Sequence, residues 1–326
     1  MRAPAFWLRD GWLPRLLSPA SCLVAAVTRR RVARTGWRAP VPVICCGNVT
    51  VGGAGKTTVA LDLAERLTAQ GRAVHVLLRG YGGSIQGPHR VGLGDSAEQV
   101  GDEALLLARV APTWIGANRA ASAKAAIATG AEVLLLDDGL QNPTLVKTLS
   151  LLVIDGNTGF GNGRVLPAGP LREPVSVGAA RCQAAVLIGT DLTFALRQLP
   201  PGLPVLGARL VQGPQIEDLR GHNVVAFAGI ASPDKFFMPL QDAGIRLVAR
   251  VAFPDHHAFS RKELDSLVGQ AKEFNALLAT TPKDAVRLPP DIRDQVTVVG
   301  VRLAWDDPAA LDGWLAEHST RNRTGE

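Results

Sequence analysis

Between residues 41 and 190, short continuous apolar runs alternate with segments whose apolar positions recur every three or four residues. The runs at 41–46, 73–78, 113–115, 132–136, 149–154 and 184–188 are too short and too uniformly apolar for half-exposed strands, and they predict buried strands of a parallel sheet. Between the first two, Val59, Leu63 and Leu67, joined by Ala60 and Ala64, line one face of a helix that Gly71 ends. Strand, helix and strand in that order form a βαβ unit, so the pattern predicts an α/β chain with a mostly parallel sheet flanked by helices. A stretch rich in Pro and Gly at 199–214 breaks the rhythm. A second series follows, strand-like at 223–229, helical at 233–243 and 264–274, and strand-like at 276–280 and 296–301. It predicts a second, smaller α/β domain, residues 216–326, after a boundary within 210–222. No internal repeat is visible, and 318–326 read as a frayed end.

A chain of 326 residues exceeds one ordinary compact domain, in keeping with that division. The net charge of +6 is concentrated at one end: residues 1–40 hold eight arginines against one acid, Asp10, with Trp7, Trp12 and Trp37 among them. Indole rings sit well at lipid headgroup level and arginines meet lipid phosphates, so 1–40 read as an amphipathic, helical membrane-surface segment rather than a nucleic-acid arm. The apolar run 16–27 has twelve residues, contains Pro19 and ends before Arg29-Arg30-Arg31, too short to span a bilayer. Arg15, that run and Ala25-Ala26 resemble the parts of a signal peptide; the nucleotide signature that follows needs a compartment holding ATP and argues against export. A core-packing helix with a solvated basic face stays open as an alternative. Cys22, Cys45, Cys46 and Cys182 show no C-x-x-C spacing, which disfavours a zinc site or a disulfide framework and leaves buried, reduced thiols as the expectation.

The chemistry begins after the first predicted strand. Gly47-Asn48-Val49-Thr50-Val51-Gly52-Gly53-Ala54-Gly55-Lys56-Thr57 joins it to the first helix. Glycines let backbone N–H groups converge on phosphate oxygens, Lys56 suits the β- and γ-phosphates, Thr57 offers a hydroxyl to Mg²⁺, and the helix N-terminus adds its positive end. Asn48, Gly52, Gly53, Ala54, Gly55, Lys56, Thr57 and Thr58 are the expected nucleotide-binding set. Thr50 stands where the G-x-x-x-x-G-K-[ST] pattern has its first glycine. Asp137 and Asp138 end a predicted strand, where ligands gather in open parallel sheets; one carboxylate is expected to face the metal while the other orients a neighbour. A solvated Asp-Asp-Gly turn is the alternative reading of that pair.

Further motifs occur in a fixed order: Arg79-Gly80-Tyr81-Gly82-Gly83, Val100-Gly101-Asp102-Glu103, Asp137-Asp138-Gly139-Leu140-Gln141, Leu166-Pro167-Ala168-Gly169-Pro170-Leu171-Arg172-Glu173-Pro174, Phe227-Ala228-Gly229-Ile230, Phe253-Pro254-Asp255-His256-His257 and Thr281-Pro282-Lys283-Asp284-Ala285. With the phosphate loop, this set resembles the tetraacyldisaccharide 4'-kinase (lipid A 4'-kinase) family over residues 4–288. The resemblance implies a P-loop NTPase-like fold and ATP- and Mg²⁺-dependent phosphorylation of the 4'-hydroxyl of an acylated glucosamine disaccharide 1-phosphate, giving lipid IVA. The reaction is expected at the cytoplasmic face of the bacterial inner membrane, with no nucleic-acid or protein partner. It also implies Asp102 and His256 as a catalytic pair, and Asp137, Asp138 and Glu173 as carboxylates around the metal held by Thr57.

Phosphoryl transfer has a loose transition state, so a carboxylate chiefly positions the acceptor hydroxyl and receives its proton late. Asp102 suits that task, with His256 orienting it, and the two would meet only across a cleft between domains. From spacing alone, Asp102 is equally a helix N-terminal acid and His256-His257 a strand-end turn. Arg79 is expected to balance phosphate charge, with Arg119 and Arg172 as further candidates. The family usually has Pro after the loop Thr, an aromatic at Leu140, His at Asn142 and Glu at Pro282. A different class with the same loop, a membrane-associated ATPase or GTPase switch acting on a protein, is the alternative function, although no Asn/Thr-Lys-x-Asp guanine-reading motif follows.

Overall fold

The computed structural model describes residues 4–319. Eight strands come first: β1 (Val43–Gly47), β2 (Val74–Leu78), β3 (His89–Arg90), β4 (Thr113–Ile115), β5 (Val133–Asp137), β6 (Leu149–Asp155), β7 (Ala184–Ile188) and β8 (Val205–Gln212). Then follow β9 (Asn223–Ala228), β10 (Arg246–Ala252), β11 (Ala276–Thr280), β12 (Val296–Val298) and β13 (Val301–Trp305). The large sheet runs β13-β8-β7-β6-β1-β5-β2-β4-β3, and the small one β10-β9-β11-β12. Pairing is parallel throughout the small sheet and antiparallel in the large one only at its edges, β13 on β8 and β3 on β4. This is the expected α/β architecture.

The central strands are buried on both faces. Ile44 and Cys46 of β1 face the helix Lys56–Ala69 through Val59, Leu63 and Leu67, while Val43 and Cys45 face the layer holding Ala123, Ala126, Val175 and Ala179. This two-sided burial is why the sequence shows solid apolar runs instead of alternation. The small domain has its own two-layer core, with Phe236, Phe237 and Leu240 on one side of its sheet and Leu264, Leu267 and Leu288 on the other.

The structure corrects the domain division. The expected strand at 296–301 is split: β12 closes the small sheet, and the chain turns at Gly300 to form β13, which returns to the large sheet. The helix Pro308–Ser319 follows it, burying Leu311 and Leu315 in the large domain's core beside Leu303 and Trp305. The smaller domain therefore ends near residue 299, and the tail belongs to the first. Both crossings lie side by side, since Gly213 N donates to Gly300 O at 2.8 Å. Residues 320–326 of the expected frayed end lie outside the described residues. The Pro- and Gly-rich stretch also holds an element, β8, hidden because it is mostly part-exposed; β10 was hidden for the same reason.

At the other end, Trp12–Val32 is one helix of 21 residues that includes Pro19. One side docks on the loop after β6: Ser21 Oγ donates to Val165 O at 2.7 Å, and Arg164 donates to Ser18 Oγ at 2.7 Å and to Asp10 at 2.9 Å. The outward side presents Trp12, Leu16, Leu23 and Val27, 57–76% exposed, at spacings that place them on a single face. No described helix is long and apolar enough to cross a membrane. Cys45, Cys46 and Cys182 are buried, but Cys22 is exposed on this helix, which corrects the expectation for that thiol.

Candidate active site

The loop after β1 enters the helix Lys56–Ala69 at the carboxyl edge of the sheet. Gly55 has φ 84°, so the backbone there favours glycine, and a Cβ would meet only the movable tip of Ile188 at the end of β7. Thr50, in place of the usual first glycine, accepts from Asn48 Nδ2 at 2.8 Å and bridges to Leu171. Asn48, 1% exposed, also accepts from Lys56 Nζ at 3.1 Å, and Lys56 reaches Gly52 O at 3.4 Å. The lysine is thereby folded over its own loop and stands 3.8 Å from Asp138. Ala54, Gly53 and Thr58 complete the turn and the first helical residues.

Asp137 and Asp138 have separate tasks. Asp137 is buried; its Oδ2 accepts from Thr57 Oγ at 2.8 Å, and its Oδ1 has no hydrogen-bond partner. Burial, helped by the charges of Glu103 and Asp138, pushes its carboxyl up to about 7 against the opposing Thr57 hydrogen bond and Lys56 charge. Asp138 takes left-handed backbone, φ 55°, which turns its carboxylate onto Arg172 in a two-pronged contact of 2.8 and 2.9 Å. Burial raises Asp138, yet Lys56, Arg172 and Arg119 outweigh it and hold the carboxyl below its ordinary value. The solvated-turn reading is excluded by these contacts.

An orphaned buried carboxylate oxygen next to a loop hydroxyl suits a hard cation. Mg²⁺ takes oxygen ligands, few of them from protein, and completes its shell with phosphates and water. Thr57 and Asp137 fit. Glu173, 1% exposed, has other partners: its oxygens accept from Arg181 at 2.7 and 2.8 Å, and Oε1 also accepts from Gln141 Nε2 at 2.8 Å. Its partner Gln141 also donates to Asn48 O at 2.8 Å and accepts from Arg172 at 3.3 Å. Glu173 and Gln141 therefore brace the phosphate loop. The sequence placed both residues in motifs but gave no sign of Arg181, their third partner.

Asp137 sets a pH dependence. Its carboxyl stands near 7 folded against an ordinary value of 3.8, so the folded chain binds more protons between those values and stability falls as pH rises through the window. In EDTA and without nucleotide, Asp137→Asn is expected to melt higher than the parent at pH 8, by a smaller margin at pH 5, and together with it near pH 3, where the carboxyl is protonated in both states. Equal melting temperatures at pH 8 would contradict the assignment.

Asp102 begins the helix Asp102–Ala108 behind Gly101, whose φ is 88° and where a Cβ would lie 2.5 Å from Tyr81 O. Its Oδ2 lies 2.8 Å from His256 Nδ1. His256 sits in the turn after β10, also left-handed at φ 58°, with its N–H donating to Gly229 O at 3.2 Å. The structure thus joins across the domains two residues that lie 154 positions apart in the chain. Burial raises the Asp102 carboxyl, but the His256 hydrogen bond and the charges of Arg287, His256 and Lys283 prevail and hold it below the ordinary range. Asp102 is ionised at neutral pH. His257 is turned away onto Glu263 at 3.0 Å.

Arg79 is exposed after β2, close enough to Arg119 to weaken its charge; burial is the main cause that lowers Arg119 to about 10. Among the described residues no group of three or more His, Cys, Asp or Glu gathers as a metal cluster. The departures have local accounts. Leu140 packs against Gly47, where a Cβ would come within 2.6 Å of it. Asn142 accepts from Thr144 at 2.7 and 3.0 Å and donates to Ala117 O at 3.2 Å, so it shapes its own loop.

The sequence profile of a family described as tetraacyldisaccharide-1-P 4'-kinase matches residues 13–320. A tetraacyldisaccharide 4'-kinase of Gluconacetobacter diazotrophicus is 58% identical over 98% of this chain and 100% of its own length. One of Rhodospirillum rubrum is 50% identical over 97% of each. Among solved structures, LpxK of Aquifex aeolicus in complex with ATP matches with a TM-score of 0.76 at 26% identity, over 94% of this chain and 100% of that one.

Proposed function

The chain belongs to the tetraacyldisaccharide-1-P 4'-kinase family, and from that membership we propose that it transfers the γ-phosphoryl group of ATP to the 4'-hydroxyl of a tetraacylated glucosamine disaccharide 1-phosphate, the lipid A precursor. The observation that carries this reading is the convergence of two half-sites. A phosphate loop with Lys56, Thr57 and Asp137 lies on one domain, and the Asp102–His256 pair spans both. The charge of Glu103, next to Asp102, is felt at Asp137, which ties the two halves together.

Backbone amides of 52–57 and Lys56 hold the triphosphate, and Thr57 and Asp137 hold Mg²⁺, which when bound offsets phosphate charge. Asp102, ionised and fixed by His256, orients the acceptor hydroxyl and takes its proton as the new P–O bond forms, while the bond from the γ-phosphorus to the bridging oxygen breaks and ADP leaves with that electron pair. Arg79 and Arg119 supply positive charge to the transferring group, while Arg172 keeps Asp138 aimed beside Lys56.

The outward face of the helix Trp12–Val32 and its basic end bring the enzyme to the cytoplasmic face of the inner membrane as a peripheral protein. Arg30, Arg31 and Arg34 line a cleft of about 390 Å³ with Asn142, Pro143 and Thr144; that chemistry suits a phosphorylated headgroup. Substituting Leu16 and Leu23 by glutamate is expected to release the protein from anionic vesicles without altering its melting temperature, because both side chains are exposed. Unchanged co-sedimentation would retire the surface assignment. The reaction itself is tested with γ-labelled ATP, Mg²⁺ and the acylated disaccharide beside a lipid-free control. Label should move into lipid, with little released when lipid is omitted; release of phosphate at the same rate without lipid would favour the switch.

A further inference from the structure

The contact at Asp102 is held by more than the histidine. Arg287, which the sequence reading left without a role, has its side chain only 6% exposed, with Nε 3.5 Å from Asp102 Oδ2. Its other nitrogens reach three more groups. Nη2 pairs with Asp284 Oδ1 at 2.7 Å and donates to Gly229 O at 3.1 Å, and Nη1 donates to His257 O at 2.8 Å. Asp284 accepts in turn from Gly229 N at 2.9 Å, and the guanidinium lies 5.6 Å from the ring centre of Phe259.

Two of these partners frame His256. Gly229 O is the acceptor for the His256 backbone N–H, and His257 is the next residue. A left-handed non-glycine backbone is strained and persists only where its surroundings over-determine it. Arg287 does so here, tying the segment after β9 to the turn after β10 with one rigid planar fork. Lysine, a point charge on a flexible stem, cannot make these bonds together. Asp102 is faced by His256 and Arg287, by Lys283, which is itself 3.5 Å from Glu103, and by Asp284. Among these groups only Arg287 touches both the acid and the histidine's turn.

We propose that Arg287 is a positioning residue for phosphoryl transfer: its fork locks the turn that carries His256 while its charge faces Asp102, so that the pair between domains assembles in one geometry. The proposal rests on the reading of Asp102 as proton acceptor and adds to it the element that sets the pair's alignment. Misplacing a catalytic pair by about 1 Å costs on the order of 100-fold in rate, and residues that act as a unit are non-additive.

The test compares the full-length enzyme with Arg287→Lys, Asp102→Asn and the double variant, by label transfer and by calorimetric ATP binding. Arg287→Lys is expected to lower kcat by about 10- to 100-fold while ATP affinity and the KM for ATP stay near those of the parent. In the Asp102→Asn background the same change is expected to cost less than about twofold, because the group being aligned is already gone. Asp284→Asn, which loosens the fork from its other end and leaves the Arg287 charge in place, should show the same dependence on background. An equal fold-loss in both backgrounds would mean a merely structural arginine and overturn the proposal. Parental kcat in Arg287→Lys would also overturn it, leaving Asp102 untouched. Parental kcat in Asp102→Asn would instead remove the reading beneath it.

Discussion

Asp102→Ala is expected to lower kcat and kcat/KM together by about 10²- to 10⁴-fold, the range of a lost proton acceptor, while ATP binds as before. The side chain is 6% exposed, with its carboxylate on His256, so its removal takes away the group that receives the acceptor's proton. Equal falls in kcat and kcat/KM are the signature of an interaction made only in the transition state. The measurement is steady-state label transfer alongside calorimetric ATP titration. Parental turnover would refute the assignment, and loss of ATP binding would show that the substitution acted on the fold.

Lys56→Ala is the second large effect, and it should act through the nucleotide. The ammonium is folded back over Gly52 and faces Asp138, so the variant loses the loop's charge toward the phosphates and leaves Asp138 to Arg172 and the charge of Arg119. Losing one preorganised charge contact costs about 10²- to 10³-fold in kcat, with a weakened ATP affinity beside it. Calorimetry and single-turnover transfer separate the two quantities. Unchanged affinity together with unchanged kcat would count against the loop.

These effects draw on residues that differ in how visible they were from sequence. The phosphate loop was legible because strand, glycine turn, lysine and helix are contiguous, and contiguity is what sequence displays. The core strands were legible for the same reason, each being a solid apolar run. The partners of Glu173 were not legible because they lie elsewhere: Arg181 is eight positions away and Gln141 thirty-two, and their combined hold is a property of three dimensions. Arg287 carries no local sign of its role because Asp102, Gly229 and His257, the partners that place it at the pair, come from three distant places in the chain. The return of β13 and the helix Pro308–Ser319 to the first domain was hidden too. β12 and β13 read as one strand, and only the turn at Gly300, alongside the outgoing crossing at Gly213, divides them. Local chemistry was written along the chain; the closing of the two domains on one site was written in contacts between distant residues.

That closing is the centre of the account, and one measurement addresses it directly: a crystal structure of the full chain with a non-hydrolysable ATP analogue and Mg²⁺. The account predicts the triphosphate seated on the amides of residues 52–57, with its terminal phosphate flanked by Lys56 on one domain and by the Asp102–His256 pair between the two. A triphosphate bound away from that loop, or an Asp102 parted from His256 and facing solvent, would contradict it.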